Sequence, residues 1–143
     1  MNKYLEYEQI LKEQISSSIF AIIATVILLA VVIFLNVRGL FKDLKKIGKT
    51  IVNMFVVAVA LASIIFFTSR IYSINQDIEL QAYVTYYGEF NVSEFRDSYV
   101  TLIDQNKTIA LSGRCDLSGG DYTGTIVYSK SSKQLLDWDV ETN

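Results

Sequence analysis

Two apolar runs separated by a lysine-rich stretch constrain this chain more than any other feature. From Ile19 to Leu35 the only polar residue is Thr25, and counting back to Ile15 extends the run to 21 residues. The second run, Ile51 to Ser69, has 19 residues. At 1.5 Å per residue, helices of these lengths cover about 26 to 31 Å, the thickness of a hydrocarbon core. A chain of 143 residues has too little remaining protein to bury two such helices. The runs therefore predict two transmembrane helices, over about 15–35 and 51–69. A signal peptide is a poor match for the first run, because Lys3 and Lys12 are outnumbered by Glu6, Glu8 and Glu13 and no small-residue cleavage motif follows Leu35. "AVALAS" at 58–63 has Ala-x-Ala spacing, but apolar residues continue through Phe67. Both runs read as retained anchors.

The stretch between them, "NVRGLFKDLKKIGKT" (36–50), carries Arg38, Lys42, Lys45, Lys46 and Lys49 against a single acid, Asp43. Cations are retained on the cytoplasmic side of short loops, and acids count little. The expectation is a plasma-membrane protein with a cytoplasmic loop 36–50 and with its N-terminus and residues beyond 70 outside. Tyr4, Tyr7 and Tyr72 then fall near the outer interface, where aromatic belts form. Within the loop, Leu40, Phe41, Leu44, Ile47 and Ile51 recur at steps of three and four. The five cations would thus contact anionic lipid from a short amphipathic helix, with Gly39 and Gly48 as hinges.

The two spans are expected to form an antiparallel hairpin. Small residues mark close helix contact in lipid, and the spans offer Ala21 and Thr25 on one side, Ala58 and Ala62 on the other. Neither apolar run contains an ionisable residue, which argues against a transporter or proton channel acting alone. Asn53 lies near enough to the cytoplasmic end to be hydrated.

Beyond Arg70 the composition changes. Residues 71–143 hold eleven acids and five bases, net −6, against +4 for residues 1–70. The pattern becomes strand-like, with period two and many β-branched and aromatic residues. "LQAYVTYYGEF" (80–90), "SYVTLID" (98–104), "KTIALSG" (107–113), "GTIVYSK" (124–130) and "QLLDWDV" (134–140) read as five strands. "QN" joins the second to the third and "SSK" the fourth to the fifth. "NVSEF" (91–95) reads as a helical turn capped by Asn91 or Ser93, and "RCDLSGGDYTG" as a Gly-rich turn. Val100 with Leu102, Ile126 with Tyr128, and Leu136 with Trp138 and Val140 are expected on the core side. The fold class is thus a membrane α-helical hairpin, residues 1–70, with a small C-terminal antiparallel all-β extracytoplasmic domain, residues 71–143.

Chemistry is harder to find. There is no histidine, which removes the common triads and His metal ligation. The one cysteine, Cys115, has no intrachain partner and reads as a core or turn thiol. "SGGD" (118–121) lacks the phosphate-loop pattern. Ser129 and Lys130, adjacent on a strand, point to opposite faces, so Ser/Lys chemistry with Lys130 or Lys133 is not expected. "NVS" and "NKT" match glycosylation acceptors, which matter only in a secreted eukaryotic protein. Asp137, Asp139 and Glu141 alternate along one strand face, which reads as a solvated stripe ahead of a site for Ca²⁺ or for a basic patch. Tyr83, Tyr86 and Tyr87 lie in the first strand, where tyrosine serves both as a strand former and as an interface residue. These six residues are the expected protein-binding set. No catalytic residue, cofactor, metal or nucleic acid is expected.

The layout of the whole chain resembles small two-span membrane proteins of Gram-positive bacteria with a short β-rich extracytoplasmic tail. Some proteins of that build are immunity factors against toxins or bacteriocins at the cell envelope. The resemblance implies a non-catalytic binding protein engaging such a partner at the outer face. The alternative is an accessory subunit of a larger membrane transport or secretion complex.

Overall fold

The computed structural model describes residues 3–37, 46–93, 99–104, 107–113 and 115–141. Two long helices, α1 (Lys3–Val37) and α2 (Lys46–Glu79), precede five strands: β1 (Tyr83–Val92), β2 (Tyr99–Asp104), β3 (Lys107–Ser112), β4 (Gly120–Ser129) and β5 (Leu135–Val140). The chain divides into two compact units, Glu13–Tyr72 and a second made of Met1–Lys12 with Ser73–Asn143.

The first unit holds the apolar lengths of both helices, and both are long and apolar enough to cross a membrane. Only 6% of the most apolar stretch of each is buried, and Phe20, Met54, Phe55 and Ile65 stand open. A core helix of a soluble protein would bury such a stretch, so these apolar faces are left for another surrounding. On each helix a set of the less exposed positions forms a stripe at steps of three and four. On α1 they are Gln14, Ser18, Ala21, Thr25, Leu29 and Val32. On α2 they are Asn53, Val56, Ala60, Ser63, Phe67 and Arg70. That is the spacing of paired helices, and Arg70 Nη2 donates to Gln14 Oε1 at 3.1 Å from one helix to the other. Ala21 and Thr25 lie on the α1 stripe. Ala58 and Ala62 do not lie on the α2 stripe; both are exposed, and Ala60 is buried instead. Two residues turn a helix by about 200°, so the expected pair faces away from the contact. The hydroxyls of Ser18, Thr25 and Ser63 each donate to the carbonyl four residues earlier, so each is satisfied within its own helix.

The boundaries differ from the expected ones at both ends. Lys46 and Lys49 fall in the first turn of α2, and Gly48 lies inside that helix rather than at a hinge. Arg38, Lys42 and Lys45, with most of the expected amphipathic segment, lie outside the described residues. α2 runs on to Glu79, ten residues past the apolar run, because Ile74 and Asp77 extend the three-and-four spacing of buried positions.

In the second unit the sheet order is β3-β2-β1-β4-β5, all neighbours antiparallel. Three consecutive strands followed by a fourth beside the first make a Greek key. One parallel bridge, Ser112 to Gln134, links the two outer strands at one end. The sheet thus curls into a small, partly open five-stranded barrel. Its core is Phe90, Val92, Val100, Leu102, Leu111, Cys115, Ile126, Tyr128 and Leu135, with Trp138 and Val140 packed against them. Val100 with Leu102 and Ile126 with Tyr128 share the core as expected, but a bulge between Val127 and Tyr128 puts Leu135 rather than Leu136 in the core beside Trp138 and Val140, and Leu136 is buried outside that cluster. The expected helical turn at 91–95 is absent from Asn91 and Val92, which belong to β1; residues 94 and 95 lie outside the described set. Part of the expected Gly-rich turn is strand, since β4 begins at Gly120.

Candidate binding surface of the β unit

Strand alternation sorts the barrel into two surfaces. Even-numbered residues of β1 point inward, and Tyr83, Thr85, Tyr87, Glu89 and Asn91 point outward. Register carries the outer set across the sheet. Tyr87 pairs with Thr125, which pairs with Asp139, while Glu89 pairs with Thr123 and Asn91 with Asp121. Asp137, Asp139 and Glu141 follow on the outer side of β5. Carboxylates far apart in the sequence thereby share one face.

At one end of this face lies an open groove of about 640 Å³, lined by Glu89, Ile103, Asp121, Tyr122, Thr123, Val140 and Glu141. Two of its three carboxylates are positioned by neutral donors. Tyr87 Oη donates to Glu141 Oε1 at 2.7 Å, and Asn91 Nδ2 donates to Asp121 Oδ1 at 2.7 Å. The bond to Glu141 holds the Tyr87 phenol above its ordinary pKa. Among the described residues the ion pairs are Lys3 with Asp137 and Lys12 with Glu8, so none serves the groove. Ile103 and Val140 add apolar surface, and the Tyr122 ring stacks on Phe90 at 5.8 Å. Such a lining attracts cations and accepts hydrogen bonds beside a hydrophobic contact.

Backbone geometry supports the groove from below. Gly88 and Gly124 oppose one another on β1 and β4. A Cβ on Gly124 would meet the Asp139 carbonyl, so β4 and β5 approach this closely only with glycine there. The Tyr86 ring folds over Gly88, and its hydroxyl donates to the carbonyls of Ile103 at 2.8 Å and Glu89 at 3.1 Å. Tyr86 thus braces the groove wall from within, in the way an aromatic covers a strand glycine.

At the opposite end of the face the expected binding residues are already engaged. Tyr83 is covered by Tyr4 and Tyr7, with ring centroids 6.0 and 5.5 Å away. Asp137 Oδ2 accepts from Lys3 Nζ at 2.9 Å and from Tyr7 Oη at 3.0 Å. Burial alone would push the Asp137 carboxyl upward. The bonds from Lys3 and Tyr7, the Lys3 charge and the Trp138 N–H outweigh it and hold the pKa below the ordinary carboxylate value. Of the six expected residues, Tyr87, Asp139 and Glu141 remain open on this face.

Asp77 carries the largest polar role that sequence reasoning missed. It is fully buried. Its carboxylate accepts the N–H groups of Ser131 and Ser132 and the Ser132 hydroxyl, at 2.7 to 3.1 Å. The Ser132 and Ser129 hydroxyls lie 2.6 Å apart, and Ser129 Oγ accepts from the N–H of buried Gln134. The network ties the end of α2 to the β4–β5 turn. Cys115 is buried, and burial pushes its thiol upward. Among the described residues no group of three His, Cys, Asp or Glu is arranged to hold a metal ion.

No family model, curated protein or solved structure matches the chain.

Proposed function

We propose that this chain is a non-catalytic membrane-anchored binding protein, with α1 and α2 crossing the plasma membrane and the β unit presenting its acidic face to a basic protein partner outside. The observation that carries the reading is the groove, where Glu89, Asp121 and Glu141 line the opening beside Ile103, Tyr122 and Val140, with no cation paired to them among the described residues. The excess of five cations over one acid in the loop 36–50 supports a cytoplasmic loop in contact with anionic lipid. The exposed apolar helix faces support lipid as their surrounding. Small five-stranded barrels often bind oligonucleotides, but a net charge of −6 over residues 71–143 repels a polyanion. A basic toxin or bacteriocin acting at the envelope is the partner class that the immunity-type layout suggests.

The test is recovery of the full-length tagged protein from its native cells in mild detergent, beside a Glu89→Gln, Asp121→Asn, Glu141→Gln triple variant. A basic partner lost with the triple variant supports the reading. A partner retained by it places recognition elsewhere and favours an accessory subunit of a membrane complex.

A further inference from the structure

We propose that the first turn of α1, Lys3–Glu6, is an autoinhibitory strap, in which Lys3 occupies Asp137 as an internal stand-in for the ammonium group of a basic partner that displaces it. The inference rests on the acidic face being a binding surface, and it names how that surface is regulated. Asp137, Asp139 and Glu141 share one side of β5, and Asp137 lies four residues, about 13 Å, from Glu141 at the groove. A cationic partner seated on Glu141 and Asp139 reaches Asp137 only if Lys3 leaves.

The strap is built to let go. The Lys3 side chain is 73% exposed, and an exposed ion pair holds weakly. Tyr4 and Leu5 are also open, at 56% and 63%, and the first turn of a helix lacks intrahelical partners for its N–H groups. Release stops at Tyr7, which is 7% exposed, and at Leu11, which is fully buried. Tyr7 Oη shares Asp137 Oδ2 with Lys3. It therefore keeps the carboxylate aimed while one ammonium replaces another. Departure of Tyr4 with Lys3 also uncovers part of the Tyr83 ring, adding an aromatic surface next to the freed charge.

The experiment uses the full chain in non-ionic detergent and a fluorescent octalysine peptide, with affinity read by anisotropy. Lys3→Gln is expected to bind the peptide two- to five-fold more tightly than wild type. Lys12→Gln removes a similarly exposed cation from the same helix, paired with Glu8, and is expected to give no such gain. Combining Lys3→Gln with Asp137→Asn should abolish it. A nitroxide on Leu5→Cys, in a Cys115→Ser background, should become more mobile as peptide is added. Equal effects of Lys3→Gln and Lys12→Gln, or a nitroxide unchanged at saturation, overturn the strap while leaving the binding surface in place. Peptide binding that is absent, or indifferent to Glu89→Gln and Glu141→Gln, overturns the surface and the strap together.

Discussion

The buried carboxylate of Asp77 accepts both the N–H of Ser132 at 2.7 Å and its hydroxyl at 2.8 Å. One side chain at the end of α2 therefore organises a turn 55 positions further on. Asp77→Ala would leave two part-buried N–H groups and a hydroxyl without their charged acceptor. The expected loss is about 3 kcal/mol, as for buried polar groups deprived of a charged partner. For a unit of this size, that lowers the melting temperature by more than about 10 °C. Trp138 fluorescence during thermal unfolding reads it. A variant melting within about 2 °C of wild type would show that water replaces the carboxylate.

Gly124→Ala tests the close approach of β4 and β5. The added methyl meets the Asp139 backbone carbonyl, which cannot swing aside as a side chain can. A cost of about 1 to 3 kcal/mol is expected. Gly48→Ala is the control, because nothing lies within 4 Å of its Cβ and alanine favours helix. If Gly124→Ala melts like wild type, the strands are less tightly apposed than described.

The Lys3–Asp137 contact sets a pH window. Asp137 is held below its ordinary pKa, so its contribution is present above the unfolded value of about 3.9 and is lost as pH falls through the folded one. Lys3 is held above its ordinary value by its bond to Asp137, so its contribution is present below about 10.4 and is lost as pH rises through the folded pKa. Mobility of a nitroxide at position 5 should therefore stay flat from about pH 5 to 9 and rise on either side. Asp137→Asn should abolish the acid limb. An acid limb that survives in that variant would assign it to another carboxyl.

Ala60→Leu and Ala58→Leu separate the two sides of α2. Ala60 is buried in the helix stripe, and a leucine there forces the helices apart at a cost of about 1 to 3 kcal/mol. Ala58 is exposed, so leucine there should be neutral. Disulfide trapping of cysteines at Gln14 and Arg70 reports the pairing, whose side chains touch in wild type. Equal trapping in both leucine variants would contradict the stripe.

Orientation is tested in whole cells lacking Cys115. Lys45→Cys is expected to be shielded from a membrane-impermeant thiol reagent and Ser131→Cys to react, since that side chain is exposed. The reverse result would end the outward-facing proposal.

Much of the fold is legible in the sequence. The apolar runs are long enough to define two helices, and period-two alternation finds all five strands. What fails is local. Gly120 reads as a turn residue, yet it opens β4, and at Gly124 the spacing gives no sign that the Asp139 backbone comes close. Residues 70–79 read as neither strand nor span, because their helical spacing shows only when Ile74 and Asp77 are known to be buried. The groove is harder still. Glu89, Ile103, Asp121 and Glu141 come from different parts of the chain, and no spacing announces them. Tyr83 and Asp137 have the composition of a binding face, but composition does not reveal that Lys3 and Tyr7 already sit on them.

Lys3 and Asp137 are 134 positions apart, and they belong to the same compact unit. During synthesis Lys3 is made ahead of both apolar helix lengths and waits for β5. A contact of such separation closes late. Tyr4 and Tyr7 have Tyr83 of β1 to lie against before then, but the Lys3 ammonium and the Tyr7 hydroxyl gain Asp137 only with β5. The folded unit conceals Tyr7 and Leu11, so a segment made before both apolar helices reaches its final surroundings only once β5 has been added.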